Sequence, residues 1–167
     1  LGVLVTVLGN GVVGGFAVRG DLHPSLVQSH FLLAMLSIAF GLVAIHRSRP
    51  EPATAVVAEV PWYLSALLLA FGAMVAAALV TGTVVTGSGP HAGDETARRY
   101  GFDISWVAEI HSGTVWLAVA AFLAVVLVLR RGSDQLRRLL GRASTWMFLA
   151  VVQGGIGYVQ YFNNVPA

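Results

Sequence analysis

Two histidines lie inside apolar stretches, where an ionisable ring is costly and calls for a partner or a ligand. His30 closes the segment DLHPSLVQSH and is followed directly by FLLAMLSIAFGLVAI, and His111 lies within WVAEIHSGTVWLAVA. An imidazole at such a position can bind a metal, move a proton or make a structural hydrogen bond to a neighbouring helix. For either histidine taken alone, the sequence leaves these roles open.

The composition restricts the choice of protein class. Of 167 residues, 56% are hydrophobic and only 11% are charged, with a mean hydropathy of +0.76. A soluble domain of this size cannot bury that much apolar surface, so we expect a membrane protein. The sequence has no cysteine, which excludes disulfides, thiolate metal sites and c-type heme attachment within it and leaves histidine as the main metal ligand. The net charge of +2 and the lack of interleaved basic and aromatic residues argue against nucleic-acid binding.

Five stretches are apolar over roughly the 20 residues that a membrane-spanning helix needs. They cover residues 1–18, 25–45, 62–85, 104–129 and 143–161. The predicted fold class is therefore all-α, a polytopic membrane helical bundle. The chain begins on an apolar stretch without Met and ends just after another, so we expect both ends to be cuts through a longer protein.

Seven of the ten arginines lie in two alternate connections between these stretches. Two are in residues 46–61 and five are in residues 130–142. The positive-inside rule predicts that both connections face the cytoplasm. The connections at 19–24 and 86–103, and the terminal NNVPA, then face outward.

This orientation allows the depth of each histidine to be counted from the outer face. His30 lies six residues after Pro24, a good first residue for a helix, hence about 9 Å along the axis. His111 lies eight residues after Asp103, a good N-cap, hence about 12 Å along the axis. Two histidines at similar depth on separate helices of a bundle are typical of axial ligands to b-type heme.

Three other histidines and one acid are given ordinary roles. His23 and His91 are predicted to lie in loops, and His46 at the cytoplasmic boundary. Glu109 is the only acid in a predicted span, and at two residues before His111 it points to a different side of the helix. We expect Glu109 to reach the interface or a neighbouring helix, with proton transfer as the lesser alternative.

The long outer connection, TGTVVTGSGPHAGDETARRYGFD, is rich in glycine and polar residues. Its backbone amides together with Arg98 or Arg99 could bind anionic groups such as heme propionates. A plain solvated loop explains the same composition equally well. No Walker motif, GxGxxG before a helix, GxSxG or HExxH is present, so the sequence does not support a soluble-type hydrolase or nucleotide enzyme.

A short internal repeat links the first and last apolar stretches. NGVVG at residues 10–14 matches QGGIG at residues 153–157, and each is followed by a polar loop and a proline, Pro24 or Pro166. If the parallel holds, a further histidine is expected about six residues beyond Pro166. Gly-rich helices resemble one another easily, so the match by itself leaves the repeat open.

Four stretches, TGTVVTGSGPHAGD, DISWVAEIHSG, DLHPSLVQSHF and VVQGGIGYVQYFNNVP, are together similar to the heme A synthase family in its actinobacterial form. The resemblance covers essentially the whole chain. It implies a multi-pass protein of the bacterial plasma membrane with eight helices in two pseudo-symmetric four-helix halves, of which this chain holds the third to seventh helices. Residues 1–61 would be the second part of the N-terminal, substrate-heme half, and residues 62–167 the first three helices of the C-terminal, cofactor-heme half.

The resemblance also implies a chemistry. The family oxidises the C8 methyl of heme O to a formyl group, giving heme A for terminal oxidases, with a b-type heme as electron relay. His30 would be the second axial ligand of the substrate heme and His111 the first axial ligand of the cofactor heme, while the family's catalytic glutamate lies outside this sequence and is not matched by Glu109. The chain alone is expected to be inactive, and its expected partners are heme O, the lipid bilayer, heme O synthase, oxidase assembly factors and a second copy in a homo-oligomer.

Two other functions use the same histidines. A membrane cytochrome b would relay electrons without modifying a heme. A transporter or scaffold without heme would use the rings as structural groups or proton relays. The heme content of the protein distinguishes all three.

Overall fold

A computed structural model describes residues 1–49, 60–89 and 96–163, and within them every regular element is a helix. The six helices are α1 Gly2–Arg19, α2 Pro24–Ser48, α3 Trp62–Ser88, α4 Ile104–Arg131, α5 Asp134–Arg137 and α6 Leu140–Phe162. The predicted all-α fold is confirmed. Each of the five predicted spans corresponds to one long helix whose ends lie within a turn of the predicted limits, and only the four-residue α5 was not predicted.

Four of the helices, α1 to α4, are long and apolar enough to cross a membrane. The prediction of a multi-pass membrane protein in a lipid bilayer is confirmed at this level. The fifth predicted span also forms a helix, α6, but α6 is not among these four, because it carries polar residues such as Arg142, Gln153 and Gln160. The total of eight helices, the two halves at 1–61 and 62–167 and the orientation stay predictions.

The turn between α1 and α2 explains how the two helices are held antiparallel. The amide of Leu22 donates to the carbonyl oxygen of Ala17 at 2.9 Å, which closes the end of α1 in the manner of a Schellman motif. Asp21 has a φ of 50°, a left-handed conformation that aspartate tolerates better than most residues, and Leu22 follows with a φ of 52°. Pro24 then begins α2, as predicted from its fixed φ.

The described residues group into two compact units by packing. The first contains Leu1–Val56 and Leu79–His111, and the second contains Val57–Ala78 and Ser112–Ala167. In the first unit, α2 packs along α1, and Gly2 lies so close to the Phe40 ring that a Cβ there would be 3.0 Å from Cδ1.

The second unit has a buried apolar core around Leu64, Val125, Leu129 and Leu136. Phe71 of α3, Phe122 of α4 and Trp146 of α6 form an aromatic cluster with ring centroids 4.3 to 5.4 Å apart. Elsewhere in both units, large apolar side chains are exposed along the helices, as expected for surfaces that face lipid.

Candidate functional site

His30 is fixed by a hydrogen bond to the preceding helix. Its Nδ1 lies 3.0 Å from the backbone carbonyl oxygen of Asn10 in α1. A carbonyl oxygen only accepts, so Nδ1 must carry the proton and donate it. The lone pair of the neutral ring is then on Nε2, which makes Nε2 the atom that can bind a metal.

Gly14 gives the His30 ring the room to lie in this position. A Cβ at Gly14 would lie 2.9 Å from Cε1 and 3.1 Å from Nδ1 of the ring, closer than side chains normally approach. The ring is half-buried against the backbone of α1. Any larger residue at position 14 would push the imidazole away from the Asn10 carbonyl.

The side-chain amide of Asn10 adds an unusual feature beside His30. Among the described residues, Asn10 Oδ1 is a buried side-chain atom that has no hydrogen-bond partner within the chain. A buried acceptor without a donor is costly in an apolar bundle. This orphaned oxygen fits a site that takes a ligand, because a donor from outside the chain would remove the cost.

His111 is held in a similar way by α3. Its Nδ1 lies 3.1 Å from the Thr81 hydroxyl. A Cβ at Gly82 would lie 3.0 Å from Cε1 of the ring. The ring is half-buried. If Nε2 binds a metal, the proton of the neutral ring must be on Nδ1, which then donates to the Thr81 oxygen.

The two histidine sites share one arrangement. In each, a histidine lies in the first turns of its helix, its ring packs on a glycine of the preceding helix, and its Nδ1 contacts an oxygen on that helix. Metal-binding histidines are commonly oriented by such a bond at the second ring nitrogen. The sites differ in the acceptor, since the Asn10 carbonyl can only accept, whereas the Thr81 hydroxyl can donate or accept.

A polar network joins α2, α3 and the segment that leads into α4. The Gln28 amide donates to the Thr83 hydroxyl at 2.9 Å, and its oxygen accepts from the Tyr100 hydroxyl at 2.5 Å. The backbone amide of Tyr100 donates to the Gly87 carbonyl at 3.0 Å, and the ring leaves no room for a Cβ at Gly87. Burial raises the pKa of the Tyr100 phenol, so the donor keeps its proton.

The network lies close in sequence to His30 and to Thr81, the partner of His111. Gln28 is two residues before His30, and Thr83 is two residues after Thr81. Neighbours at that spacing point to different sides of a helix, so α2 contacts α1 through His30 and α3 through Gln28. No motif or spacing in the sequence pointed to Gln28, Thr81, Thr83 or Tyr100.

Arg98 and Arg99 lie in the segment before α4, as predicted. Arg98 lines an open pocket of about 610 Å³ together with Thr96 and the α1–α2 turn, including Asp21. Arg99 Nη1 is 3.5 Å from the Arg98 carbonyl oxygen. A carboxylate in the same pocket weakens anion binding there, so propionate binding by these arginines stays a prediction. His91 and most of the GSGPHAGD motif lie outside the described residues.

The remaining sequence candidates have local surroundings. His23 Nδ1 lies 2.8 Å from the Ser25 hydroxyl at the start of α2, and His46 is exposed in its last turn. Glu109 is exposed on α4. His23 lies just before α2 and His46 near its other end, as the sequence predicted, while the cytoplasmic side of His46 and the role of Glu109 stay predictions.

The two histidines are single donors on separate helices. Across residues 1–49, 60–89 and 96–163, no three His, Cys, Asp or Glu side chains come together to hold a metal. A heme iron has four ligands from its own macrocycle and needs only an imidazole from each contributing helix. His30 and His111, each with an oriented ring, fit that requirement.

No family model, curated protein or solved structure matches this chain. The functional assignment therefore depends on the geometry of the two histidine sites and on the motifs in the sequence.

Proposed function

We propose that this chain is part of a heme A synthase, a multi-pass oxidoreductase of the plasma membrane. The reaction oxidises the C8 methyl of heme O to a formyl group. The oxygen atom comes from a donor outside this chain, and the electrons leave through a b-type heme to an acceptor outside this chain. In this proposal His30 would bind the iron of the substrate heme and His111 the iron of the cofactor heme. The bound hemes supply the redox-active iron and, in the substrate, the methyl group that is oxidised.

One observation supports the proposal above all others, namely the matching support of the two rings. Both intramembrane histidines rest on a glycine and contact an oxygen through Nδ1. Two rings oriented alike near the starts of two different helices would suit a protein with two heme sites.

The residues around the rings have separate tasks in this mechanism. The Asn10 carbonyl and Gly14 orient the His30 ring, whose Nε2 would bind the iron of the substrate heme. Thr81 and Gly82 orient the His111 ring, whose Nε2 would bind the iron of the cofactor heme. In this proposal the Asn10 carbonyl oxygen and the Thr81 hydroxyl oxygen each accept a hydrogen bond from Nδ1 of a ring. That bond makes the imidazole a stronger electron donor, which would stabilise the oxidised state of a bound iron.

The surroundings of the sites suit the rest of a heme molecule. Apolar side chains such as Phe16 and Phe31, 58% and 41% exposed, provide surface for a farnesyl tail. Arg98 and Arg99, at the outer end of the bundle in the predicted orientation, are the candidates for the propionates. No catalytic acid is assigned within this chain, because Glu109 is exposed and lies two residues from His111 rather than on its side of α4.

The test is heme analysis of the protein expressed from its complete gene. We expect a reduced-minus-oxidised spectrum with Soret and α bands, and extraction that yields heme O or heme A in addition to heme b. Heme b alone would indicate an electron-carrying cytochrome b. A protein without any heme bands would exclude both and leave the transporter or scaffold.

A further inference from the structure

The connection between α4 and α6 is folded against the protein core rather than extended into solvent. Gly132 makes the turn at the end of α4, where a Cβ would lie 2.8 Å from Leu136 Cδ1 and 3.3 Å from the Val128 carbonyl oxygen. Leu136, in α5, is only 6% exposed and packs with Leu64 and Leu129. This contact fixes α5 and the residues before it on the ends of α3 and α4.

The folded connection forms one side of an open pocket of about 470 Å³. The pocket is lined by Pro61, Tyr63, Val128, Arg131, Gly132, Ser133 and Leu136. A guanidinium and two hydroxyls provide hydrogen-bond donors, and the other side chains are apolar. The pocket lies at the end of two helices that could span a membrane. Its polar and apolar parts match the phosphate of a phospholipid and the apolar chains next to it.

The charge around the pocket selects the kind of lipid. Residues 130–142 contain five arginines and one aspartate, a net charge of +4. The aspartate, Asp134, is paired with Arg137, so it does not neutralise Arg131. A headgroup with an ammonium group would be repelled here, whereas an anionic phosphodiester is attracted.

We propose that this pocket binds the phosphodiester of an anionic phospholipid with an uncharged headgroup. Arg131 binds the phosphate oxygens, and Tyr63 and Ser133 offer hydroxyls to the remaining oxygens of the headgroup. Val128 and Leu136 contact the apolar part of the molecule. The site is separate from the histidine sites and does not depend on heme binding.

The chain provides a matched pair of variants to test the site. Arg130 and Arg131 are adjacent and both exposed, but only Arg131 lines the pocket. R130Q and R131Q remove the same charge. In nanodiscs made with phosphatidylglycerol in a phosphatidylcholine background, native mass spectrometry should detect phosphatidylglycerol retained by the complete protein and by R130Q. For R131Q we expect at least about tenfold weaker retention than for R130Q, because a charge-assisted hydrogen bond is lost in addition to the charge.

Equal loss in R130Q and R131Q would overturn the proposal, since it would indicate diffuse attraction to the arginines without a site. Retention that is the same for phosphatidylcholine as for phosphatidylglycerol would overturn it as well. Competition by inorganic phosphate at millimolar concentration would identify free phosphate as the ligand and exclude the lipid. Helix content measured by circular dichroism should be the same in both variants, which separates loss of the lipid from loss of the fold.

Discussion

The Nδ1 atom of His30 donates to the carbonyl oxygen of Asn10 across 3.0 Å, and this bond ties α2 to α1 at the depth of the candidate site. The same bond leaves Nε2 as the ring nitrogen with a lone pair available for a ligand. His111 and Thr81 form the corresponding pair between α4 and α3. These two contacts make the role of each histidine open to direct experiment.

Replacing His111 with Ala in the complete protein should remove the b-type heme signal. The loss follows because no other side chain of α4 replaces the axial imidazole. The reduced-minus-oxidised spectrum measures it, and circular dichroism should report unchanged helix content. His46→Ala, which removes an exposed imidazole from α2, is the matched control and should leave the spectrum as it is. An unaltered b-type signal in His111→Ala would contradict the assignment.

His30→Ala should weaken heme O binding while heme b is retained, since the proposal gives the two histidines to different hemes. The affinity loss is expected to be on the order of ten-fold or more, as for loss of a metal ligand or its support. Titration of the purified variant with heme O measures this value. Wild-type affinity for heme O would exclude His30 as a ligand.

Gly14→Ala tests whether the ring must rest on the α1 backbone. The added methyl would lie 2.9 Å from the His30 ring, so we expect a displaced imidazole, weaker heme O binding and a stability cost of about 1–3 kcal/mol. Gly15→Ala is the matched control, because nothing lies within 4 Å of its Cβ position and alanine favours a helix. The comparison needs both heme titration and thermal unfolding. If the two variants have the same heme O affinity and the same thermal stability, the close contact with Gly14 is not needed for heme binding.

Thr81→Val should change the electronic properties of the cofactor heme without removing it. Valine keeps the shape of threonine but cannot accept the Nδ1 proton of His111, so the imidazole becomes a weaker donor and the midpoint potential should rise. Redox titration of the b-type heme measures the shift. Thr81→Ser keeps the hydroxyl and should stay near the wild-type potential. A shift that is equal in both variants would point to packing instead of the hydrogen bond.

Tyr100→Phe should loosen the segment before α4, because Gln28 loses the hydroxyl donor that lies 2.5 Å from its amide oxygen. We expect a loss of about 0.5–1.5 kcal/mol in thermal or denaturant unfolding and faster proteolysis near Arg98 and Arg99. Tyr161→Phe, at the exposed end of α6, is the control. Unfolding and proteolysis rates equal to the control would show that the Gln28 contact contributes nothing.

The pH dependence of this contact has a definite sign. Burial raises the pKa of Tyr100 above its ordinary value of about 10, so the folded protein keeps the phenolic proton at a pH where the unfolded chain loses it. The stabilising contribution is therefore complete below a pH of about 10. It is lost as the pH rises through the pKa of Tyr100 in the folded protein. A tyrosinate absorbance titration of wild type and Tyr100→Phe should reveal one late-titrating phenol that is missing in the variant.

Part of the histidine geometry was accessible from the sequence. The depths counted from Pro24 and Asp103 predicted that both rings lie near the starts of their helices, and α2 and α4 begin at Pro24 and Ile104. Gly14 could have been found by the same counting. It lies six residues before Gly20, as His30 lies six residues after Pro24, so antiparallel helices joined by a tight turn bring them to one level.

The residues of α3 that contact His111 could not be found by counting from a turn. The connection between α3 and α4 is long, so distance from a turn does not relate Thr81 or Gly82 to His111. Thr81 is also indistinguishable in sequence from Thr83, which instead binds Gln28. The choice between them depends on the rotation of α3 about its axis.

The fold class, the five long helices and the two histidines within apolar helices could be predicted from the sequence, because the length of an apolar run and the cost of a polar ring within it are local properties. The contacts between helices could not be predicted in this way: the backbone under each ring, the oxygen beside each Nδ1 and the loop residue that bonds to Gln28. The physical reason is that a helix in lipid is apolar on all sides, so its hydrophobic pattern does not specify the side that faces a neighbour. That side is fixed by close packing at glycines and by the few polar groups that find partners in the bundle.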